Sequence, residues 1–360
     1  MGIDTGAPMG KAMAHIAVVF AELEQDLIRM RTYPRGAVGQ GRERRHAKQV
    51  KIDAAQAVRC SPSLERPRVE ASTREGGAAM AEAPVETNPD TIVLIHGFWV
   101  TPRSWEHWKK YYEAKGYTVL APAYPGFEVE VEALRADPTP IEQLQVPEII
   151  EMLENLIKKL DRPPIIIGHS AGGVFTQILL DHGFGAVGVA IDSAPTEGVK
   201  VIPLSEIKSG FPILKNPANR HRAVGFTPKQ WHYVFANTFS EEKSLELYER
   251  YHIPASGRVF WGSALANIHP GKDDTYVDYH NDARPPLLFI SGKQDHLFPP
   301  KVGHSNAKHY KSKTVTEIVE FDGPHLLPAI DGWEEVADFA LDWALKHADD
   351  IGRPRRSGRS

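Results

Sequence analysis

The chain has 360 residues, of which 42% are hydrophobic, and 42 Lys+Arg stand against 46 Asp+Glu for a formal net charge of -4. A balance this close to neutral excludes an electrostatic nucleic-acid binder and a strongly charged membrane-facing surface, while the apolar content suffices for a sizeable core. Cys60 is the single cysteine, so no disulfide forms within the chain, which fits a reducing compartment.

The first elements lie in a stretch of different texture from the rest. Met13, Ile16, Phe20, Leu23 and Leu27 recur at helical spacing, so residues 11–30 are expected to form one amphipathic helix. The apolar run Ile16 to Phe20 is cut short by Glu22, Glu24 and Asp26. That is too short and too charged for a signal or a membrane span, and a cytoplasmic setting is expected. Residues 33–89 are rich in Arg, Gly, Ala, Pro and Ser and hold no sustained period. They offer too little apolar surface to offset the entropy of ordering and are expected to be a disordered linker. The run AMAHIAVVFAELEQDLIRMRT, within a 1–32 segment, resembles the end of the catalytic domain of serine recombinases. The region that would hold a recombinase nucleophile is absent from the chain, so the resemblance implies no recombination chemistry, and Met80 is a plausible natural start.

From residue 90 strands and helices alternate. Thr91 to Ile95 is a continuous β-rich run, as expected of a strand buried on both faces. A helix is expected over 102–115 and a strand over Tyr117 to Leu120. Pro147 opens a helix with Ile149, Ile150, Leu153, Leu156, Ile157 and Leu160 on one face. Ile165 to Ile167 is a strand, followed by a helix from Ala171 to about Asp181. Further strands are expected at Val187 to Ile191, Leu287 to Ile290 and Val315 to Phe321, with a closing helix over Trp333 to Leu345. The alternation predicts an α/β fold over 90–348: a mostly parallel central sheet with helices on both faces. It breaks between about 195 and 284, where Phe211, Trp231, Tyr233, Phe235, Phe239, Tyr248, Tyr251, Phe260 and Trp261 cluster. This stretch reads as a helical lid inserted over the carboxyl edge of the sheet, its aromatics largely its own core. Residues 349–360 form a basic tail.

The chemistry concentrates at strand ends. Gly168-His169-Ser170-Ala171-Gly172, followed by Gly173, stands where a strand turns into a helix. A serine on so sharp a turn points its hydroxyl away from the sheet, toward the positive end of the helix. A serine hydroxyl needs a base, and the base needs an orienting acid. Asp295, in Ser291-Gly292-Lys293-Gln294-Asp295, follows the Leu287 strand, and His325, in Phe321-Asp322-Gly323-Pro324-His325, follows the next. All three candidates sit past strand ends on one side of a parallel sheet. Asp192 and Asp322 are alternative acids. For the oxyanion, the backbone N–H groups of Ala171 and of Phe98, in His96-Gly97-Phe98-Trp99, are the candidate donors. Losing one such donor typically costs about 3–4 kcal/mol of transition-state stabilisation. His96 is expected to brace that loop. His169 is expected to point away from the nucleophile as support, and with Trp99 it is carried as a candidate substrate contact. No metal-ligand pattern such as H-E-x-x-H is present, so no metal is expected.

With these motifs (HG-x, GHSxGG, SGxxD and a late G-x-H), residues 90–348 resemble the α/β-hydrolase superfamily. The resemblance implies carboxylic ester hydrolysis through an acyl-enzyme and does not identify the substrate. The aromatic insertion, with Phe98 and Trp99 beside the site, points to a small, mainly apolar ester. No cofactor is expected, and neither nucleic acid nor membrane is expected as partner. A serine nucleophile in place of aspartate disfavours haloalkane dehalogenase and epoxide hydrolase chemistry. A cofactor-free haloperoxidase or perhydrolase on the same triad, and a ligand-binding module retaining the fold, are the alternative readings. The basic run Arg353-Pro354-Arg355-Arg356 with Arg359 points to a DNA-acting fusion less well than to a solvated tail.

Overall fold

The computed structural model describes residues 88–201, 203–266 and 274–348. The expected helix over 11–30 with its recombinase-like run, nearly all of the expected linker and the basic tail lie outside these residues.

Among the described residues eight strands form: β1 (Thr91–Ile95), β2 (Thr118–Leu120), β3 (Ile165–His169), β4 (Val187–Ile191), β5 (Ala223–Val224), β6 (Ala255–Ser256), β7 (Leu287–Gly292) and β8 (Thr316–Phe321). Six of them build one sheet in the order β2-β1-β3-β4-β7-β8, with every pairing parallel. Strands β1, β3, β4 and β7 are buried from end to end. Their runs of Ile, Val and Leu leave both faces apolar, which only a sheet covered on both sides can satisfy.

The period of two divides the side chains between two cores. Val93, Ile95 and Ile166 face one side, with Ile149, Ile150 and Leu153 of α4 (Val146–Ile157) and Val174, Phe175 and Ile178 of α5 (Ala171–Asp181). Ile92, Leu94, Ile165 and Ile167 face the other. There they meet Trp108 and Tyr112 of α1 (Glu106–Ala114) and Val336, Ala340 and Leu341 of α11 (Trp333–His347). The polar tips buried with these aromatics are satisfied. Trp108 Nε1–H donates to the Pro328 carbonyl at 2.9 Å and Tyr112 O–H to that of Ala337 at 2.8 Å. Two short helices, α2 (Val131–Ala136) and α3 (Thr139–Glu142), precede α4.

The chain runs outward from β1 to β2, returns past β1 to β3, and then continues to β4, β7 and β8. The order reverses between β1 and β3, and the crevice at the carboxyl ends of these two strands is where an open α/β sheet binds ligands. Over the next gap, between β4 and β7, the chain inserts α6 (Leu204–Leu214), α7 (Pro228–Phe235), α8 (Glu241–Tyr251), α9 (Gly257–Ala266) and the antiparallel ribbon β5–β6.

Two local expectations need adjustment. The helix over 102–115 opens as a 3-10 turn, Pro102–Trp105, with Thr101 Oγ1 accepting from the Arg103 amide, and becomes α-helical only at Glu106. A helix between β7 and β8, α10 (Pro300–His309), was not anticipated.

Candidate active site

Ser170 stands between β3 and α5 with φ 58° and ψ -119°, a backbone conformation that L-residues adopt only under constraint. Its neighbours make the turn possible. A Cβ on Gly168 would lie 2.0 Å from the Gly172 carbonyl oxygen, and a Cβ on Gly172 would lie 2.2 Å from that of Ile95. Strand β3, helix α5 and the end of β1 therefore approach more closely than any side chain permits. The Ser170 amide donates to the Ile191 carbonyl at 2.9 Å, anchoring the turn on β4.

Asp295 and His325 meet this serine from the loops after β7 and β8. Ser170 Oγ lies 3.0 Å from His325 Nε2, and His325 Nδ1 lies 2.8 Å from Asp295 Oδ2. The second oxygen of Asp295 accepts from the amides of Leu297 at 2.6 Å and Phe298 at 2.9 Å. The two backbone donors fix the plane of the carboxyl group. All three side chains are at most 3% exposed. The other sequence candidate for the acid, Asp322, is on the surface, paired with Lys293.

The loop after β1 closes the near side. His96 Nδ1–H donates to the Gly97 carbonyl at 2.7 Å, and the Tyr124 hydroxyl donates to the His96 carbonyl. Complete burial pushes the His96 imidazole down to about 4, so it is neutral there. Gly97 packs against Ser170: a Cβ on it would lie 3.1 Å from Ser170 Cβ. Trp99 turns toward the insertion, with its ring against Phe226, Phe235 and Phe260 and its indole N–H on the Val224 carbonyl at 3.0 Å.

His169 lies on the far side of His325. Its Nε2–H donates to the His325 carbonyl at 2.7 Å, and its ring sits 5.0 Å from the His325 ring and edge-on to Trp105. Burial, with the nearby His325 adding to it, depresses His169 to about 3 and keeps it neutral. His169 is thus held behind His325 and against Trp105.

The insertion touches the loops that follow β1, β7 and β8. The Ile253 amide donates to the Trp99 carbonyl at 3.0 Å, the Ser209 hydroxyl to the His296 carbonyl at 3.1 Å, and the Leu326 amide to the Phe235 carbonyl at 2.9 Å. Phe235 also packs edge-on to the His325 ring at 4.9 Å, and Phe298 does so at 5.5 Å.

A family model described as the alpha/beta hydrolase family matches residues 92–339. The chain belongs to that family. Among curated proteins no sequence match is found. Solved structures share the fold at low identity. An extracellular alpha/beta-hydrolase from a Paenibacillus species, described as sharing structural and functional homology with tobacco salicylic acid binding protein 2, aligns at TM-score 0.53 and 21% identity over 71% of this chain and 98% of that one. A pyrethroid hydrolase from Sphingobium faniae aligns at 0.51 and 18% over 71% and 96%. Polyneuridine aldehyde esterase aligns at 0.50 and 16% over 71% and 99%.

Two features of this hydrolase site escaped the sequence reading. Phe235 and Phe298 against His325 belong to segments 90 and 27 residues from it, and nothing in their local pattern marks them as neighbours of His325. Asp192, an alternative acid in the sequence, is buried nearby: one of its oxygens and a nitrogen each of His169 and His325 lie within 4.8 Å of one another. Glu206 of α6 is the second feature. Its Oε2 is buried without a partner, and burial, with the Asp295 charge adding, pushes the carboxyl up to about 8. Among the described residues no helix is long and apolar enough to cross a membrane.

Proposed function

We propose that this alpha/beta hydrolase cleaves carboxylic esters through an acyl-enzyme formed on Ser170. The observation that carries this reading is the continuous relay from Ser170 Oγ through His325, 3.0 Å on one ring nitrogen and 2.8 Å on the other, to Asp295. A hydroxyl so placed can pass its proton to Nε2 as it attacks, while Asp295 holds the ring in the tautomer with Nδ1 protonated and stabilises the imidazolium that forms. The oxyanion would rest on the backbone N–H groups of Ala171, at the amino end of α5, and Phe98. His325 then protonates the leaving alcohol and activates water for deacylation. No step calls for a cofactor.

The segment between β4 and β7 acts as a lid in this reading. Ser170 is 3% exposed, so substrate must part the contacts that join the insertion to the catalytic loops. The aromatic rings of Trp99, Phe235 and Phe298 around the relay suit an apolar acyl or alcohol group. That esterase chemistry can be hosted on this fold is indicated by the name of polyneuridine aldehyde esterase. A reducing, cytoplasmic setting accords with the single cysteine.

Hydrolysis of p-nitrophenyl esters of graded acyl length, with Ser170→Ala beside the wild type, tests the proposal. Turnover that collapses in the variant supports it. Wild-type protein that neither turns over any ester nor labels with a fluorophosphonate would favour a binding module instead.

A further inference from the structure

Helix α6 of the insertion turns one face inward, and that face carries a carboxyl the proposed mechanism does not use. Ser209, Gly210 and Ile213 are buried there, and Glu206, three residues before Ser209, falls on the same side of the helix. The face bridges two loops of the site. The Ser209 hydroxyl donates to the His296 carbonyl, next to Asp295, at 3.1 Å. A Cβ on Gly210 would lie 3.3 Å from Phe260 Cζ, and the Phe260 ring packs 5.4 Å from that of Trp99. The loop of Trp99 abuts Ser170 at Gly97, and the loop of His296 abuts the His325 ring at Phe298. Glu206 therefore sits one helical turn from a contact with the loop that holds Asp295. Its Oε2 is buried with no hydrogen-bond partner. The charged groups that face it are Asp295, which opposes a second anion, and Lys301, which favours one. A buried carboxyl oxygen left unpaired is costly. An acid in the first turn does suit the helix dipole, but that role needs no burial: Glu241 and Glu242 fill it for α8 with exposed side chains.

Resting on the reading of Ser170 as an ester-cleaving nucleophile, we infer that Glu206 determines specificity: its unpaired oxygen accepts a hydrogen bond from a donor, above all an ammonium group, at the tip of an otherwise apolar ester. The surroundings select for a donor. The rings of Trp99, Phe235 and Phe298 offer apolar contact to the body of a substrate, and Glu206 offers the unpaired acceptor beside them. A substrate carboxylate at this corner would meet the carboxyls of both Glu206 and Asp295 and is disfavoured. A hydroxyl satisfies Oε2 as a neutral donor. An ammonium does more, because pairing with a cation favours the ionised form of Glu206 and makes the hydrogen bond charge-assisted. A substrate lacking any donor leaves the oxygen unpaired, which is the loss that lets a buried polar group discriminate between ligands of one shape.

The experiment measures kcat/KM for three p-nitrophenyl esters matched in acyl length, the heptanoate, the 6-hydroxyhexanoate and the 6-aminohexanoate, and repeats the set two carbons longer. Wild type is compared with Glu206→Gln and Glu206→Leu. The quantity read is the ratio of each polar ester to its alkyl counterpart, which a general loss of activity or stability does not move. From wild type to Glu206→Leu the ammonium ratio should fall about 10-fold or more and the hydroxyl ratio about threefold or more. Glu206→Gln keeps a neutral acceptor of the same shape, so it should lower the ammonium ratio and hold the hydroxyl ratio near that of wild type. Ratios that stay at wild-type values in Glu206→Leu at both lengths, with urea unfolding showing the variant folded, would overturn the inference. So would an ammonium ratio untouched by Glu206→Gln, the isosteric change that folding tolerates best. Failure of the underlying reading looks different: Ser170→Ala would then turn over all the esters as wild type does, whatever the Glu206 variants do to the ratios.

Discussion

The Phe235 carbonyl accepts the amide of Leu326, the residue after His325, at 2.9 Å, while the Phe235 ring lies edge-on to the His325 imidazole at 4.9 Å. A single residue at the end of α7 therefore contacts both the backbone beside His325 and its ring. The backbone bond survives any side-chain change, so the two contributions separate cleanly. Phe235 is 2% exposed and stacks on Trp231 at 4.2 Å, which makes its ring a core element as well as a wall of the site.

Phe235→Leu should therefore cost more activity than stability. Leucine fills most of the volume, and the expected destabilisation is about 1–2 kcal/mol. Losing the flat ring beside His325 frees the imidazole to tilt, and a misplacement of this kind costs about 10-fold to 10²-fold in kcat/KM. Ester turnover and urea unfolding of the same variant measure the two. A stability loss with unaltered kcat/KM would show that the ring is core only.

The elbow tolerates no Cβ at its glycines. Gly172→Ala places a methyl 2.2 Å from the Ile95 carbonyl oxygen, which is backbone and cannot rotate away. Either β1 separates from α5 or Ser170 leaves its turn. The expected cost is about 3 kcal/mol or more in unfolding free energy, at the upper end of overpacking effects. Ester activity should be lost as well. Gly183→Ala is the contrast: a Cβ there meets nothing within 4 Å and only the positive φ of 83° is strained, so activity should persist.

Much of this architecture can be read from the chain, and the reasons differ by element. The inner strands declare themselves because short runs such as Ile92-Val93-Leu94-Ile95 and Ile165-Ile166-Ile167 have no other way to be buried on both faces. The elbow declares itself because glycine is demanded on either side of Ser170, and the candidate acid and base because each follows a strand of the sheet. Helix α10 stayed hidden because Pro300-Lys301-Val302-Gly303-His304-Ser305-Asn306 buries only Val302, Gly303 and Asn306, too few apolar side chains to make a period. The ribbon β5–β6 has two residues per strand, and alternation cannot be seen in two residues. The aromatics of the insertion were visible, but which of them reach His325 depends on tertiary packing alone.

The ion pairs that tie α8 to the body should matter little. Arg250 Nε and Nη2 each lie 2.6 Å from the Glu106 carboxylate, whose Oε1 also accepts from the Tyr251 hydroxyl at 2.9 Å. The Arg250 side chain is 46% exposed, so solvent screens the pair. Glu106→Gln keeps an acceptor for Tyr251 and should destabilise by no more than about 1 kcal/mol, a difference that shrinks further in 1 M salt. A loss of several kcal/mol in urea unfolding would mean that α8 depends on this anchor far more than its exposure implies.

Stability should peak near pH 6.5. His96, His169 and His252 are depressed by burial to about 4, 3 and 3, so below their ordinary value of 6.5 the unfolded chain takes up three protons that the folded chain refuses. Each such proton lowers the unfolding free energy by about 1.4 kcal/mol per pH unit as the pH falls. Asp192 and Glu206 work in the opposite sense. Burial raises both, Glu206 to about 8, so above the ordinary carboxylate range the folded chain holds protons that the unfolded chain has released. Between pH 4.5 and 6.5 the three histidines outweigh the raised carboxyls, and stability declines toward acid. Above 6.5 the histidine contribution is flat and the carboxyls remain, so stability declines toward pH 8. Urea unfolding from pH 4.5 to 8 tests the shape. His252→Phe, which removes one buried histidine away from the relay, should flatten the acid side by about 1.4 kcal/mol per unit and leave the alkaline side unchanged. A curve still rising through pH 8 would mean that the two carboxyls ionise within the folded protein at no cost, and the account of their burial would fail.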